Sequence, residues 1–167
     1  MRIVGLDHVS VTTADIQRSL AFYGDLLGIP VLAVAELSGE EVDAVTGIPG
    51  AKLLTADLDL GRGQVLELIE YVGTGEGSAL PLERPGSGHI GLAVEDLDGV
   101  RRRLIDAGSI VRSEQVELSE PGAWHGVRCM TVLDPDGVAV ELVQRPRPTL
   151  AVETGSVEGT GLRTADR

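Results

Sequence analysis

The feature that most constrains this chain is an internal duplication. Asp7-His8-Val9-Ser10-Val11 opens one half, and Gly88-His89-Ile90-Gly91-Leu92 opens the other. His8 and His89 are 81 positions apart, as are Asp15 and Asp96, so the first parts of the two halves align without a gap. Each half then ends on a run with one embedded glutamate, Gln64-Val65-Leu66-Glu67-Leu68 and Val138-Ala139-Val140-Glu141-Leu142. At 167 residues the chain can hold one domain or two small modules sharing a core, but hardly two independent domains. The repeat selects the second arrangement.

Periodicity gives each module its elements. Val9 and Val11 alternate with His8, Ser10 and Thr12, the signature of a half-buried strand whose histidine faces away from the valines. Ile90, Leu92 and Val94 alternate with His89, Gly91 and Ala93 in the same way. Ile16, Leu20, Tyr23 and Leu27 then recur at helical spacing across Asp15–Leu27, with Gly28 as the stop, and Asp96–Ala107 repeats this with Gly108 closing. Strands are expected over 31–36, 51–59 and 64–71, and over 110–118, 127–133 and 138–144. Asp134-Pro135-Asp136-Gly137 supplies the turn before the last of these, as Gly61-Arg62-Gly63 does in the first half. Each copy therefore reads βαβββ. The fold class is α+β, with modules at 1–72 and 88–144, a Gly/Ser/Pro-rich linker at 73–87 and a tail at 145–167 that lacks apolar periodicity.

A carboxylate in an apolar strand is costly unless it is paired or bound to a metal. Glu67 and Glu141 both sit in such strands, at equivalent places relative to a histidine. Two imidazoles and two carboxylates form a mixed N/O set suited to a divalent first-row ion, with positions left for substrate oxygens. Small residues beside each histidine leave room for a ligand.

A formal net charge of −12 argues against nucleic acid and anionic membrane as partners, since both reward basic patches. The one dense basic run, Arg101-Arg102-Arg103, lies in an expected helix and reads as a solvated face. The N-terminus has no apolar stretch of signal-peptide type and no run reaches the ~20 residues of a membrane helix, so a cytoplasmic location is expected. A lone cysteine, Cys129, agrees with a reducing compartment. Aromatics make up only 2% of the chain, which singles out Tyr71, with the parity of Glu67, and Trp124 as candidate substrate-binding residues. His125, beside Trp124 in a glycine-flanked loop, is a candidate acid or base.

These residues resemble the vicinal oxygen chelate superfamily, which includes glyoxalase I, methylmalonyl-CoA epimerase, extradiol dioxygenases and bleomycin or fosfomycin resistance proteins. The resemblance is carried by Asp7-His8-Val9, Asp15-Ile16, Ser19-Leu20-Ala21-Phe22-Tyr23, Leu66-Glu67-Leu68, Gly88 to Val94, and Asp134-Pro135-Asp136-Gly137 with Val140-Glu141-Leu142. It spans roughly residues 3 to 144. It implies two modules whose sheets cup a metal, with ligands on the first and fourth strands of each: His8, Glu67, His89 and Glu141. The ligand order is that of bacterial glyoxalase I. By the same resemblance the cofactor is one divalent ion per site, Ni, Co, Zn, Mn or Fe. The reaction is that of a lyase or isomerase working through a metal-chelated enediolate of a small oxygenated substrate, with Glu141 the first candidate base and Glu67 the second. The cup is built within one chain in some members and across a homodimer in others.

Other members of the resemblance suggest other chemistry. An Fe(II)-dependent dioxygenase would use two histidines and one carboxylate, and Glu67 as a fourth ligand counts against it. A resistance protein that sequesters an antibiotic would line its groove with aromatics, which are scarce here. The separate glutamate base of methylmalonyl-CoA epimerases has no match in Gly39-Glu40-Glu41-Val42-Asp43.

Overall fold

The computed structural model describes residues 2–75, 77 and 79–146. In the first half, strand β1 (His8–Thr13) leads into helix α1 (Ile16–Leu20), followed by β2 (Val31–Ser38), helix α2 (Glu40–Thr46), β3 (Lys52–Gly61) and β4 (Gln64–Tyr71). In the second half, β5 (His89–Ala93) leads into α3 (Leu97–Asp106), then β6 (Val116–Glu117), β7 (Arg128–Leu133) and β8 (Ala139–Gln144). Each half forms a four-stranded sheet of the same topology, β1-β4-β3-β2 and β5-β8-β7-β6. The first and last strands of each half run parallel, and the other neighbours are antiparallel. Two βαβββ units are thus folded as the duplication requires.

Local chemistry explains the helices. The Asp15 carboxylate accepts from the Gln17 and Arg18 amides, and Glu70 Oε2 accepts from the Ile16 amide at 2.8 Å, so two acidic side chains satisfy free donors at the start of α1. Beyond Leu20 the helix widens into a π-helical segment, Ala21–Leu26, with Leu27 N donating to Phe22 O at 2.9 Å. Phe22 and Tyr23 are both buried within this wide turn. Gly28, at φ +76°, then ends the helix. Asp96 caps α3 by accepting from the Gly99 amide.

Two expectations are corrected. The strand expected at 110–118 is reduced to Val116–Glu117 and a single bridge, Val111 to Val132. Here the Ser113 hydroxyl accepts from the Thr131 amide at 2.8 Å, and the Arg112 and Ser113 amides both donate to Thr131 O, so a side chain replaces regular ladder pairing. Helix α2 was not expected, because none of its residues is buried and no apolar period marks it. It is favoured instead by Glu40, Glu41 and Asp43 in its first turn and by Gly47 in a left-handed C-cap at φ +71°. The other elements lie within two residues of their expected limits. Of the expected tail, residues 147–167 lie outside the described residues.

The two modules share one aliphatic core. Val11, Leu66, Leu68 and Leu58 from the first sheet and Met130, Val132, Val140 and Leu142 from the second form a single buried cluster with Ile16, Tyr23, Leu97 and Leu104 of the helical segments. Polar bonds join the modules at its edge. The fully buried Tyr23 donates its hydroxyl to Asp134 Oδ2 at 2.9 Å, while Asp134 Oδ1 accepts from the Asp136 and Val138 amides. Asp136 in turn accepts from Thr13 Oγ1 at 2.6 Å, the Ala14 amide and Arg18 Nη2. Arg103 Nη1 donates to Leu26 O at 3.1 Å.

Candidate metal centre

In each sheet the alternation of the strands divides core from open face. Leu66 and Leu68 point into the core, which puts Val65, Glu67, Ile69 and Tyr71 on the opposite face of β4. Leu142 likewise points inward and Glu141 outward on β8. Ser10 is the Cα partner of Glu67, and Gly91 is the Cα partner of Glu141. His8 and His89 open their strands two residues earlier, on the faces that carry the glutamates. His8 Nε2 lies 3.6 Å from Glu67 Oε2, and His89 Nε2 lies 3.5 Å from Glu141 Oε2.

Two donors, each about 2.1 Å from one ion, are about 3.0 Å apart at a right angle and about 3.5 Å apart near 113°. Each His–Glu pair, at 3.6 and 3.5 Å, is thus somewhat wider than the edge of a six-coordinate sphere and would need to close by about half an ångström on an ion. His8 is also oriented for this role, because its Nδ1 bonds Asp7 Oδ1 at 2.9 Å and so leaves Nε2 as the nitrogen that faces Glu67. The Asp7 bond, with the Glu67, Asp7 and Asp57 charges, outweighs desolvation and raises the His8 pKa above its ordinary value. Both histidines line one cleft of about 230 Å³ with Asp7, Gln64 and Gly91. Even so, among the described residues no three His, Cys, Asp or Glu side chains come together closely enough to hold a metal. Among the described residues the four candidate ligands thus form two His–Glu pairs, here called half-sets, and not one group of four.

The surroundings of the half-sets differ. Ser10 Oγ donates to Glu67 Oε2 at 2.6 Å, and Asp57 is the cross-strand partner of Glu67. Around Glu141 there is Gly91 on one side and its Cα partner Thr131 on the other, with the thiol of Cys129, a weak donor, nearby on the same strand as Thr131. Burial, then the neighbouring Glu141 carboxylate, pushes the Cys129 thiol up. Sequence reasoning missed Ser10, Asp57 and Cys129. The signal for Ser10 was present, since it shares the parity of His8 and pairs with a parallel strand, whereas Asp57 required the register of the β3–β4 hairpin.

The remaining candidates lie elsewhere. Tyr71 is on the face of Glu67 but four residues along the strand, roughly 13 Å away. Trp124 is half exposed, with the Arg145 guanidinium stacked 4.6 Å from its ring centroid. His125 hydrogen-bonds the Ser119 carbonyl through Nδ1 at 3.0 Å. Neither Trp124 nor His125 lines the cleft shared by His8 and His89.

The model of the glyoxalase/bleomycin resistance protein/dioxygenase superfamily matches residues 5–142. The chain belongs to that superfamily. A probable lactoylglutathione lyase from Synechocystis sp. is 33% identical over 140 residues, which are 82% of this chain and 92% of that protein. Among solved structures, a glyoxalase family protein from Bacillus cereus matches with a TM-score of 0.74 at 20% identity, over 86% of this chain and 95% of that one. Glyoxalase I of Leishmania major matches with a TM-score of 0.59 at 23% identity, over 83% of this chain and 84% of its own. These structures agree in fold, and the superfamily's two-module architecture is the one found here. Among the described residues no helix is long and apolar enough to cross a membrane.

Proposed function

We propose that this superfamily member is a divalent-metal-dependent lyase or isomerase of the glyoxalase kind, in which two copies of the chain complete each metal site. The observation that carries the reading is the pair of His–Glu half-sets at equivalent register, with Nε2–Oε2 separations of 3.6 and 3.5 Å. His8 and Glu67 of one copy, with His89 and Glu141 of a second, would supply four ligands of a borderline divalent ion such as Ni, Co, Zn, Mn or Fe. Support for a second copy comes from the His–Glu pairs, which form no single group of ligands among the described residues, and from edge strand β2, which is exposed along its length and carries the exposed apolar residues Val31, Leu32, Val34 and Leu37.

When bound, the ion supplies Lewis acidity toward two neighbouring substrate oxygens. The protein residues handle the proton. We assign Glu141, partly exposed on an open face beside the weak thiol donor of Cys129, as the base that would remove a proton beside a carbonyl and return it to the adjacent carbon. Glu67 is second to it. The relative from Synechocystis directs the choice of substrate to the adduct of a thiol and an α-oxoaldehyde, the chemistry behind a lactoylglutathione product. His125 has no part in this scheme.

Metal analysis of wild type against the double variant H8A/H89A tests the reading, together with sedimentation to count chains. About one ion per chain in a dimer, lost in the variant, is expected. The same metal content in both proteins would refute the ligand assignment, and a metal-loaded monomer would refute the shared site. The Fe(II) dioxygenase alternative predicts oxygen uptake in the iron-loaded protein, which this reading does not.

A further inference from the structure

Positions 10 and 91 are equivalent in the duplication, 81 residues apart like the two histidines, and each is the Cα partner of its module's glutamate. One is a serine and the other a glycine. Ser10 Oγ donates a 2.6 Å hydrogen bond to Glu67 Oε2, the same oxygen that faces His8. At Gly91 the hydroxyl is missing. A Cβ built there would lie 3.9 Å from Glu141 Oε2, an ordinary contact, so the position has space for a side chain that would reach the carboxylate. Gly91 is not among the residues with left-handed backbone, so nothing in its conformation demands glycine.

We infer that Ser10 is a positioning residue that clamps Glu67 as a fixed ligand, and that the gap at Gly91 leaves Glu141 free to swing. A hydrogen bond to a carboxylate is stronger than one between neutral groups and fixes the rotamer it meets. Glu67 is thereby held in ligand geometry before an ion arrives. Glu141, which meets no such hydroxyl and only the weaker thiol donor of Cys129 among the described residues, keeps more rotamer freedom, which a carboxylate needs if it is to leave an ion, take a proton and return. The duplicated module thus divides labour between two chemically identical side chains through one residue beside each. This rests on the proposed metal-dependent reading for its functional meaning, but the clamp itself is a property of the metal-free protein.

The test uses the full chain with S10A, G91S and the exchange S10A/G91S. In the metal-free protein, side-chain ¹³C relaxation of labelled glutamates is expected to show Glu67 more ordered than Glu141, with the order of Glu67 lost in S10A and that of Glu141 gained in G91S. Equal mobility of the two glutamates in wild type would overturn the clamp. Calorimetric titration with Ni²⁺ is then expected to show about a 10-fold loss of affinity in S10A, the lower end for loss of a supporting partner of a ligand. G91S should bind Ni²⁺ at least as well as wild type while kcat falls with KM little changed. Wild-type affinity in S10A would overturn the link from clamp to metal. Unequal mobility as expected in a wild type that takes up no Ni²⁺ would leave the clamp standing and remove the metal-dependent reading, so the two failures are distinguishable.

Discussion

Replacing Tyr23 by phenylalanine removes one atom from the junction between the modules and should expose how that junction is held. The Tyr23 hydroxyl donates to Asp134 Oδ2 at 2.9 Å, and both side chains are buried, with Asp134 only 3% exposed. Burial pushes the Asp134 carboxyl above its ordinary range, against the lowering effect of bonds from the Val138 amide, Tyr23 and the Asp136 amide. Burial and then the Asp134 charge push the Tyr23 phenol up, so it stays a donor at any working pH. Without the hydroxyl, Oδ2 loses its only side-chain donor among the described residues while staying out of water, which costs about 2–3 kcal/mol for an ionised acceptor. For a chain of this size, that is a fall in Tm of roughly 4–12 °C. The cost must depend on pH. Because the folded-state pKa of Asp134 is raised, ionising it opposes folding; its favourable contribution is complete below the unfolded value near ~3.9 and is lost as pH rises through the folded value. Tyr23→Phe raises the folded value further, so the destabilisation should be small near pH 4 and full near pH 8. Urea unfolding of both proteins at these two pH values measures it. A difference under about 0.5 kcal/mol at pH 8, or one equal at both pH values, would refute this account of the junction.

Glu70→Ala should separate a structural carboxylate from the proposed ligands. Glu70 accepts from the first amide of α1, so its loss should cost about 1 kcal/mol in urea unfolding and leave Ni²⁺ affinity unchanged, whereas Glu67→Ala and Glu141→Ala should each weaken that affinity. Equal affinities in all three would refute the assignment of ligands. Gly137→Ala places a side chain at φ +87° in the Asp134–Gly137 turn and should destabilise by about 1–2 kcal/mol; a Tm equal to wild type would show that the turn relaxes freely.

What was legible in the sequence follows from where its signals are local. His8 with Val9 and Val11 fixes strand parity, and the repeat in His89 with Ile90 and Leu92 fixes it twice, so the open face could be read before any contact was known. Asp15 and Asp96 were read as the starts of helical segments and cap α1 and α3. Helix α2 could not be read this way, because it buries nothing and leaves no periodic trace. The strand expected at 110–118 failed because apolar Ile110 and Val116 to Leu118 carry the pattern while Ser113 takes over the bonding of the ladder. Tyr23 was read as a core-facing helical residue, but its tie to Asp134 spans 111 positions and no local rule connects them. The π-helical widening that accompanies it was equally hidden. The supporting groups of the half-sets, Ser10 and Asp57, are visible only once the parallel and antiparallel registers are known.

The two copies of the module are no longer interchangeable. Glu67 and Glu141 are 74 positions apart, seven fewer than the histidines, and the first module has the seven-residue α2 and an eight-residue β2 where the second has a two-residue β6. In an assembly that sets the first half-set of one copy against the second of another, a two-fold axis makes the same contact twice and consumes every half-set at once. Pairing like with like would leave one half-set free at each end and let copies add without limit. Under the proposed shared site, it is this two-fold crossing of unequal halves that would close the particle at two copies instead of letting it grow.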